Sequence, residues 1–316
     1  MKAAKPLRKT LLLAITCMAL LGSCAGRPDT GLTAIRAANL VELQVRLQAA
    51  KPDVMLFRNR GPFAVTELPN YSVHMGGSER IIGDLFLPSH PGRTPLVILL
   101  HGFENSKEDH GYQAMHLATW GMASLAVQLP NRGPWIRNGN TLVRLARLVR
   151  ENPGLIDKRI DPERIILVGH SFGGSAVSVA LGNGAPVAGG ILLDPAGVSR
   201  AIPGYLKKVT RPMVSLNSDE RVTLTRNRGY FYQYVPGNIG SVSITGAAHE
   251  DAQFPLERAP RPEDSDADPV EEIQITFVSA LTAATFSIAF TGKLDYVWES
   301  FAESLKTEKM FGAMRK

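Results

Sequence analysis

The feature that most constrains this chain is Leu96-Val97-Ile98-Leu99-Leu100, five consecutive apolar residues running into the polar segment that begins at His101. A half-buried strand alternates apolar and polar side chains, whereas a strand covered on both faces turns none to water. An unbroken run this short therefore reads as the centre of a sheet enclosed by helices. Further strands are expected at 122–129, 164–168, 187–193, 212–216 and 241–245, with helices at 110–120, 141–151 and 171–181. Such alternation predicts an α/β fold with a mainly parallel sheet and helices on both faces, because parallel neighbours need crossover connections. Upstream, Tyr71-Ser72-Val73-His74-Met75, the turn Gly76-Gly77-Ser78 and the segment 80–87 predict an antiparallel hairpin. The apolar stretch 270–290 predicts a closing helix on the sheet, and the Pro- and acid-rich segment 255–269 predicts a surface loop.

Within this frame, Ile165-Ile166-Leu167-Val168 leads into Gly169-His170-Ser171-Phe172-Gly173-Gly174, followed by a helix of small residues. Strand, G-x-S-x-G and helix resemble the nucleophile turn of the α/β-hydrolase fold. The glycines have a steric reason: Ser171 must sit on a sharp, strained turn, and side chains at 169 and 173 would strike the neighbouring strand and helix. The same turn puts the Phe172 N–H at a helix start, where the local dipole favours a developing oxyanion. A dinucleotide-binding turn is the structural rival, but the chain has no G-x-G-x-x-G.

His101-Gly102-Phe103 follows the first buried strand, where this fold takes its second oxyanion donor, and the Phe103 N–H is assigned that role. An ordinary strand-to-loop turn with a packed aromatic is the plain alternative. His101, Glu104, Asp109, His110 and His116 invite a metal reading, but their spacing lacks the one-face repeat of a helical metal motif, so no metal is expected. A serine hydroxyl needs an imidazole to take its proton, and the imidazole needs a carboxylate to fix its tautomer. In this fold the order is Ser, acid, His, and of seven histidines only His249 follows Ser171. His170 adjoins the nucleophile but points elsewhere on the turn, and reads as a packed, hydrogen-bonded neighbour. For the acid, Asp194 ends the strand 187–193, while Asp219 follows the strand 212–216; both lie at the catalytic edge.

The motif 169–174, the Leu193-Asp194 strand end, Asn217-Ser218 and the position of His249 together resemble the platelet-activating-factor acetylhydrolase group and its chlorophyllase-like relatives, over roughly residues 94–255. That resemblance implies an acid after the earlier strand, Asp194. Gly246-Ala247-Ala248-His249 is also similar to cutinase-like polyester hydrolases, which would imply Asp219 as the alternative acid. Both resemblances imply acyl-ester hydrolysis of a small or lipid-like ester without a cofactor. A non-catalytic binding lipoprotein on the same fold, and an amidase or peptidase using the same residues, are the competing readings.

The first 23 residues run from a basic start through an apolar stretch, 11–21, to Gly22 and Ser23, the order of an export leader, and the stretch is short for a membrane span. Leu21-Gly22-Ser23-Cys24 resembles the lipobox of bacterial lipoproteins, which implies lipidation of Cys24. Export and a lipid anchor are thus expected, with Ala25 pointing to the outer membrane or its periplasmic side. The implied organisation is a signal peptide at 1–23, a tether with a short helix (32–50, closed by Lys51-Pro52-Asp53) at 24–60, and one hydrolase domain at 61–316. Cys17 and Cys24 are the only cysteines, so a mature protein cut before Cys24 forms no internal disulfide. The net charge of +6 owes much to Lys2, Lys5, Arg8 and Lys9 in the leader, so it does not argue for nucleic acid. Arg132, Trp135 and Arg137, expected in a loop at 131–140, continue into Arg144, Arg147 and Arg150; the spacing fits a lip for anionic headgroups or a solvated basic face.

Overall fold

In the computed structural model, residues 37–50, 52–130, 132–220, 229–258, 269–307 and 311–315 are described; the leader and Cys24 lie outside them. Among the described residues, nine strands form one sheet: β1 (Val65–Gly76), β2 (Glu79–Pro88), β3 (Thr94–Leu100), β4 (Ala123–Gln128), β5 (Ile160–His170), β6 (Gly189–Leu193), β7 (Met213–Ser218), β8 (Ile239–Ile244) and β9 (Phe311–Arg315). Their order is β1-β2-β4-β3-β5-β6-β7-β8-β9. The strands from β4 through β3 and β5 to β8 are parallel, while the β1–β2 hairpin and β9 add antiparallel edges.

The helices are α1 (Leu40–Ala50), α2 (Val54–Arg58), α3 (Gly111–Thr119), α4 (Trp135–Glu151), α5 (Phe172–Gly182), α6 (Ile202–Leu206), α7 (Gly229–Gln233), α8 (Pro269–Thr291) and α9 (Tyr296–Thr307). Alternate residues of one strand serve opposite layers. Val97 and Leu99 of β3 join the core under α3, α8 and α9, while Leu96, Ile98 and Leu100 join the core under α4 and α5. That split is why the run had to be apolar at every position.

The expected strands and closing helix are present with shifted ends. α8 is long and apolar enough to cross a membrane, yet every residue from Gln274 to Ala289 is buried within the protein, so it serves as a core helix. The segment 131–140 departs from the expected loop: α4 already begins at Trp135. Asn138 and Gly139 are accommodated there by specific contacts. The Asn138 amide donates to the Pro130 carbonyl at 2.7 Å, and a Cβ on Gly139 would lie 2.6 Å from the Ala176 carbonyl oxygen of α5. Upstream, α1 buries Leu40, Leu43 and Leu47 in the same cluster as Phe57, Trp120 and Leu305. Neither α9 nor β9 was expected from the sequence, although Trp298, Phe301 and Leu305 follow a helical spacing and are buried.

Candidate active site

β5 delivers Ser171 to the carboxyl edge of the sheet, and the turn after it is strained. Ser171 has φ 53° and ψ −117°, outside the regions that residues with a Cβ ordinarily occupy. Four backbone hydrogen bonds hold it there: its N–H donates to the Leu193 carbonyl at 3.0 Å, and its carbonyl accepts from Gly174 at 3.0 Å, Ala196 at 3.1 Å and Ser175 at 3.3 Å. The flanking glycines are required by close approach. A Cβ on Gly169 would lie 2.3 Å from the Gly173 carbonyl oxygen, and one on Gly173 would lie 2.5 Å from the Leu100 and 2.6 Å from the His101 carbonyl oxygens. Gly173→Ala must therefore push β3 away from the turn, and a stability loss of about 1–3 kcal/mol is expected in urea unfolding. An unchanged midpoint would mean that the turn can yield without cost.

The side chains from three loops meet at this turn. His249 Nε2 lies 3.0 Å from Ser171 Oγ, and His249 Nδ1 lies 2.6 Å from Asp194 Oδ2. A carboxylate only accepts, so Nδ1 carries the proton and Nε2 is left to accept from the serine hydroxyl. Asp194 is fully buried with φ 38°, and its N–H donates to the Leu216 carbonyl at 2.7 Å. Its two carboxylate oxygens also accept from the Ser218 N–H and hydroxyl, each at 2.9 Å. Such bonds fix the orientation of the buried carboxylate toward the imidazole. Asp219 is placed otherwise: its carboxylate accepts the Gly246 N–H at 2.8 Å and so braces the loop that carries His249.

The backbone of His249 is gripped on both sides, and the part played by Glu220 was not expected from the sequence. The Glu220 carboxylate accepts its N–H at 2.6 Å, and His170 Nε2 lies 3.1 Å from its carbonyl oxygen, which only accepts. His170 also packs against the imidazole, ring centres 4.7 Å apart and planes tilted by 37°, so it both packs and hydrogen-bonds beside the nucleophile. Burial and the neighbouring His249 and His110 rings keep His170 neutral, its pKa well below the usual range. The signals for these residues were the Asn217-Ser218 pair at the end of β7, part of the family resemblance, and for Glu220 its place beside Asp219.

Phe172 is the first residue of α5, so its N–H has no acceptor within the helix. Phe103 sits across from it with ring centres 5.1 Å apart, half exposed at the mouth. Between them is Gly102, whose Cβ would lie 3.0 Å from Ser171 Cβ, so the 101–103 loop passes directly over the nucleophile. That loop is pinned by His101, whose ring nitrogens lie 2.8 Å from the Gly102 carbonyl and 3.0 Å from the Leu129 carbonyl. A narrow cleft continues from here between Gly102, Pro130, Trp135, Asn138 and Phe172.

The residues that suggested a metal point to separate partners. His110 Nδ1 lies 2.5 Å from the Gln113 amide oxygen, His116 Nε2 lies 3.0 Å from the Phe57 carbonyl, and Asp109 accepts from the Ser106 N–H at 2.7 Å. Both of these histidines are fully buried, and burial lowers the pKa of His110 to about 4 and that of His116 to about 3. The sign follows from the unfolded value near 6.5: their contribution is complete above pH 6.5 and drains away as the pH falls through about 4 and about 3. His110 alone should remove roughly 3 kcal/mol of stability across that window. Urea midpoints at pH 7 and pH 4 check this, and equal midpoints would contradict it.

A family model described as "Alpha/beta hydrolase family" matches residues 97–303, a span that contains all three converging side chains. The chain belongs to the alpha/beta hydrolase family, a family of hydrolases. No curated protein matches it at a significant level.

Proposed function

We propose that this protein is a serine carboxylic-ester hydrolase that works through an acyl-enzyme. The observation that carries this reading is the unbroken chain from Ser171 Oγ to His249 Nε2 at 3.0 Å and from His249 Nδ1 to Asp194 at 2.6 Å. Ser171 Oγ attacks the ester carbonyl while His249 Nε2 takes its proton, forming a tetrahedral oxyanion. The N–H groups of Phe103 and Phe172 stabilise that charge. Collapse breaks the bond to the alcohol oxygen, which takes the proton from His249. Water then repeats the sequence on the acyl group and returns free Ser171 and the acid. Asp194 stays ionised throughout and holds the imidazolium that forms. Acyl transfer of this kind requires no cofactor, since positioned protons and dipoles supply the chemistry.

Asp194 as the acid agrees with the resemblance to the platelet-activating-factor acetylhydrolase and chlorophyllase-like group. The leader and the Leu21-Gly22-Ser23-Cys24 motif support export and a lipid anchor at Cys24, facing the outer membrane or periplasm. The substrate in this reading is a small or lipid-like ester.

A fluorophosphonate probe tests the reading directly. Purified protein should be labelled, and Ser171→Ala should not be. Hydrolysis of p-nitrophenyl esters without matching amide hydrolysis supports the esterase over the amidase or peptidase. Unlabelled wild-type protein, or labelling that survives loss of the hydroxyl, would leave the non-catalytic binding reading in its place.

A further inference from the structure

Beside the cleft lies a groove of about 390 Å³ whose charge has no part in the chemistry described above. Pro130 and Asn138 line both, so the groove adjoins the cleft around Gly102, Phe172 and Gly173 at the end of β4. Its walls carry Arg80 from β2 and Arg137 and Arg144 from α4, against the single carboxylate of Glu79. Arg144 occupies both oxygens of that carboxylate, at 2.7 and 3.1 Å. Arg80 and Arg137 form no ion pair with any described residue, and both guanidinium groups are exposed. The excess of positive charge is local: α4 carries four arginines and only one acidic residue, Glu151, at its last position.

Unpaired guanidinium groups in a concavity focus positive potential, and their planar donor array matches carboxylate and phosphate oxygens. The groove adjoins the cleft lined by Gly102 and Phe172, whose backbone flanks Ser171, so the group it takes is assigned to the molecule whose ester reaches that serine. A membrane-facing patch has no such need to be concave or joined to the cleft. We propose that this groove is an anion subsite, with Arg80 and Arg137 binding a carboxylate or phosphate carried by the ester substrate. The proposal deepens the esterase reading and, for its kinetic part, rests on it.

The binding part is measured without turnover. Glutarate and inorganic phosphate are titrated calorimetrically into the full chain bearing Ser171→Ala, with and without Arg80→Gln and Arg137→Gln. Weak saturable binding is expected, reduced about fivefold or more by the double arginine variant and by about 0.5 M salt, since exposed ion pairs are individually weak and screened. In the active protein, the ratio of kcat/KM for the mono-p-nitrophenyl ester of glutarate to that for p-nitrophenyl butyrate should fall by a similar factor in the double variant. No binding of either small anion, or binding and an ester ratio indifferent to the arginines, overturns the proposal. Arginine-dependent binding confined to vesicles containing phosphatidylglycerol overturns it in favour of a membrane contact. Arginine-dependent binding of the small anions in a protein inert to both esters supports the subsite while removing the esterase reading.

Discussion

Ser171→Ala is expected to lower kcat for an ester substrate by about 10⁴- to 10⁶-fold while leaving the fold intact. The hydroxyl stands 3.0 Å from the His249 imidazole and makes the bond on which the proposed acyl-enzyme depends. Among the described residues that line the cleft there is no second hydroxyl or thiol to replace it. The loss should fall on kcat and kcat/KM alike, since the cleft walls that hold the substrate are untouched. Residual catalysis is still expected, because oxyanion donors act on an attacking water as well as on the serine. Circular dichroism and an unchanged urea midpoint would show that the loss is chemical. A kcat within tenfold of wild type would mean that the reaction runs through another group.

Asp194→Asn carries the second large effect, about 10⁴-fold in kcat. The buried carboxylate dictates that His249 Nδ1 bears the proton. An asparagine amide can turn its NH₂ toward Nδ1, which leaves Nε2 protonated and unable to accept from Ser171. Asp219→Asn is the matched comparison. That side chain holds the Gly246 N–H, and an amide oxygen can still accept there, so a change below tenfold is expected. A reversed ranking of the two variants, both folded, would transfer the role of acid to Asp219.

The strands were legible because burial on two faces leaves a mark that needs no tertiary information: every position of the run from Leu96 to Leu100 is apolar. Ser171 and His249 were equally legible, the first from glycines demanded by sterics and the second because no other histidine follows it in the chain. The start of α4 was hidden, since Asn138 and Gly139 disfavour a helix locally. Their compensation comes from Pro130 and from the surface of α5, which are distant in sequence or unreadable as contacts. β9 was hidden for a related reason: a short edge strand draws its stability from its partner, β8.

By itself the sequence determined the alternation of strands and helices, the sharp turn at Ser171 and the residue types able to perform acyl transfer, because each rests on local sterics or on patterns of burial. The tertiary structure alone decided which carboxylate faces the imidazole. Asp194 and Asp219 end neighbouring strands at the same edge, and both are aspartates with suitable spacing. The choice was made by the path of the 246–249 loop, which Asp219, Glu220 and His170 hold so that the His249 ring meets Asp194. Orientation of this kind comes from contacts among residues far apart in the chain, and no local pattern records it.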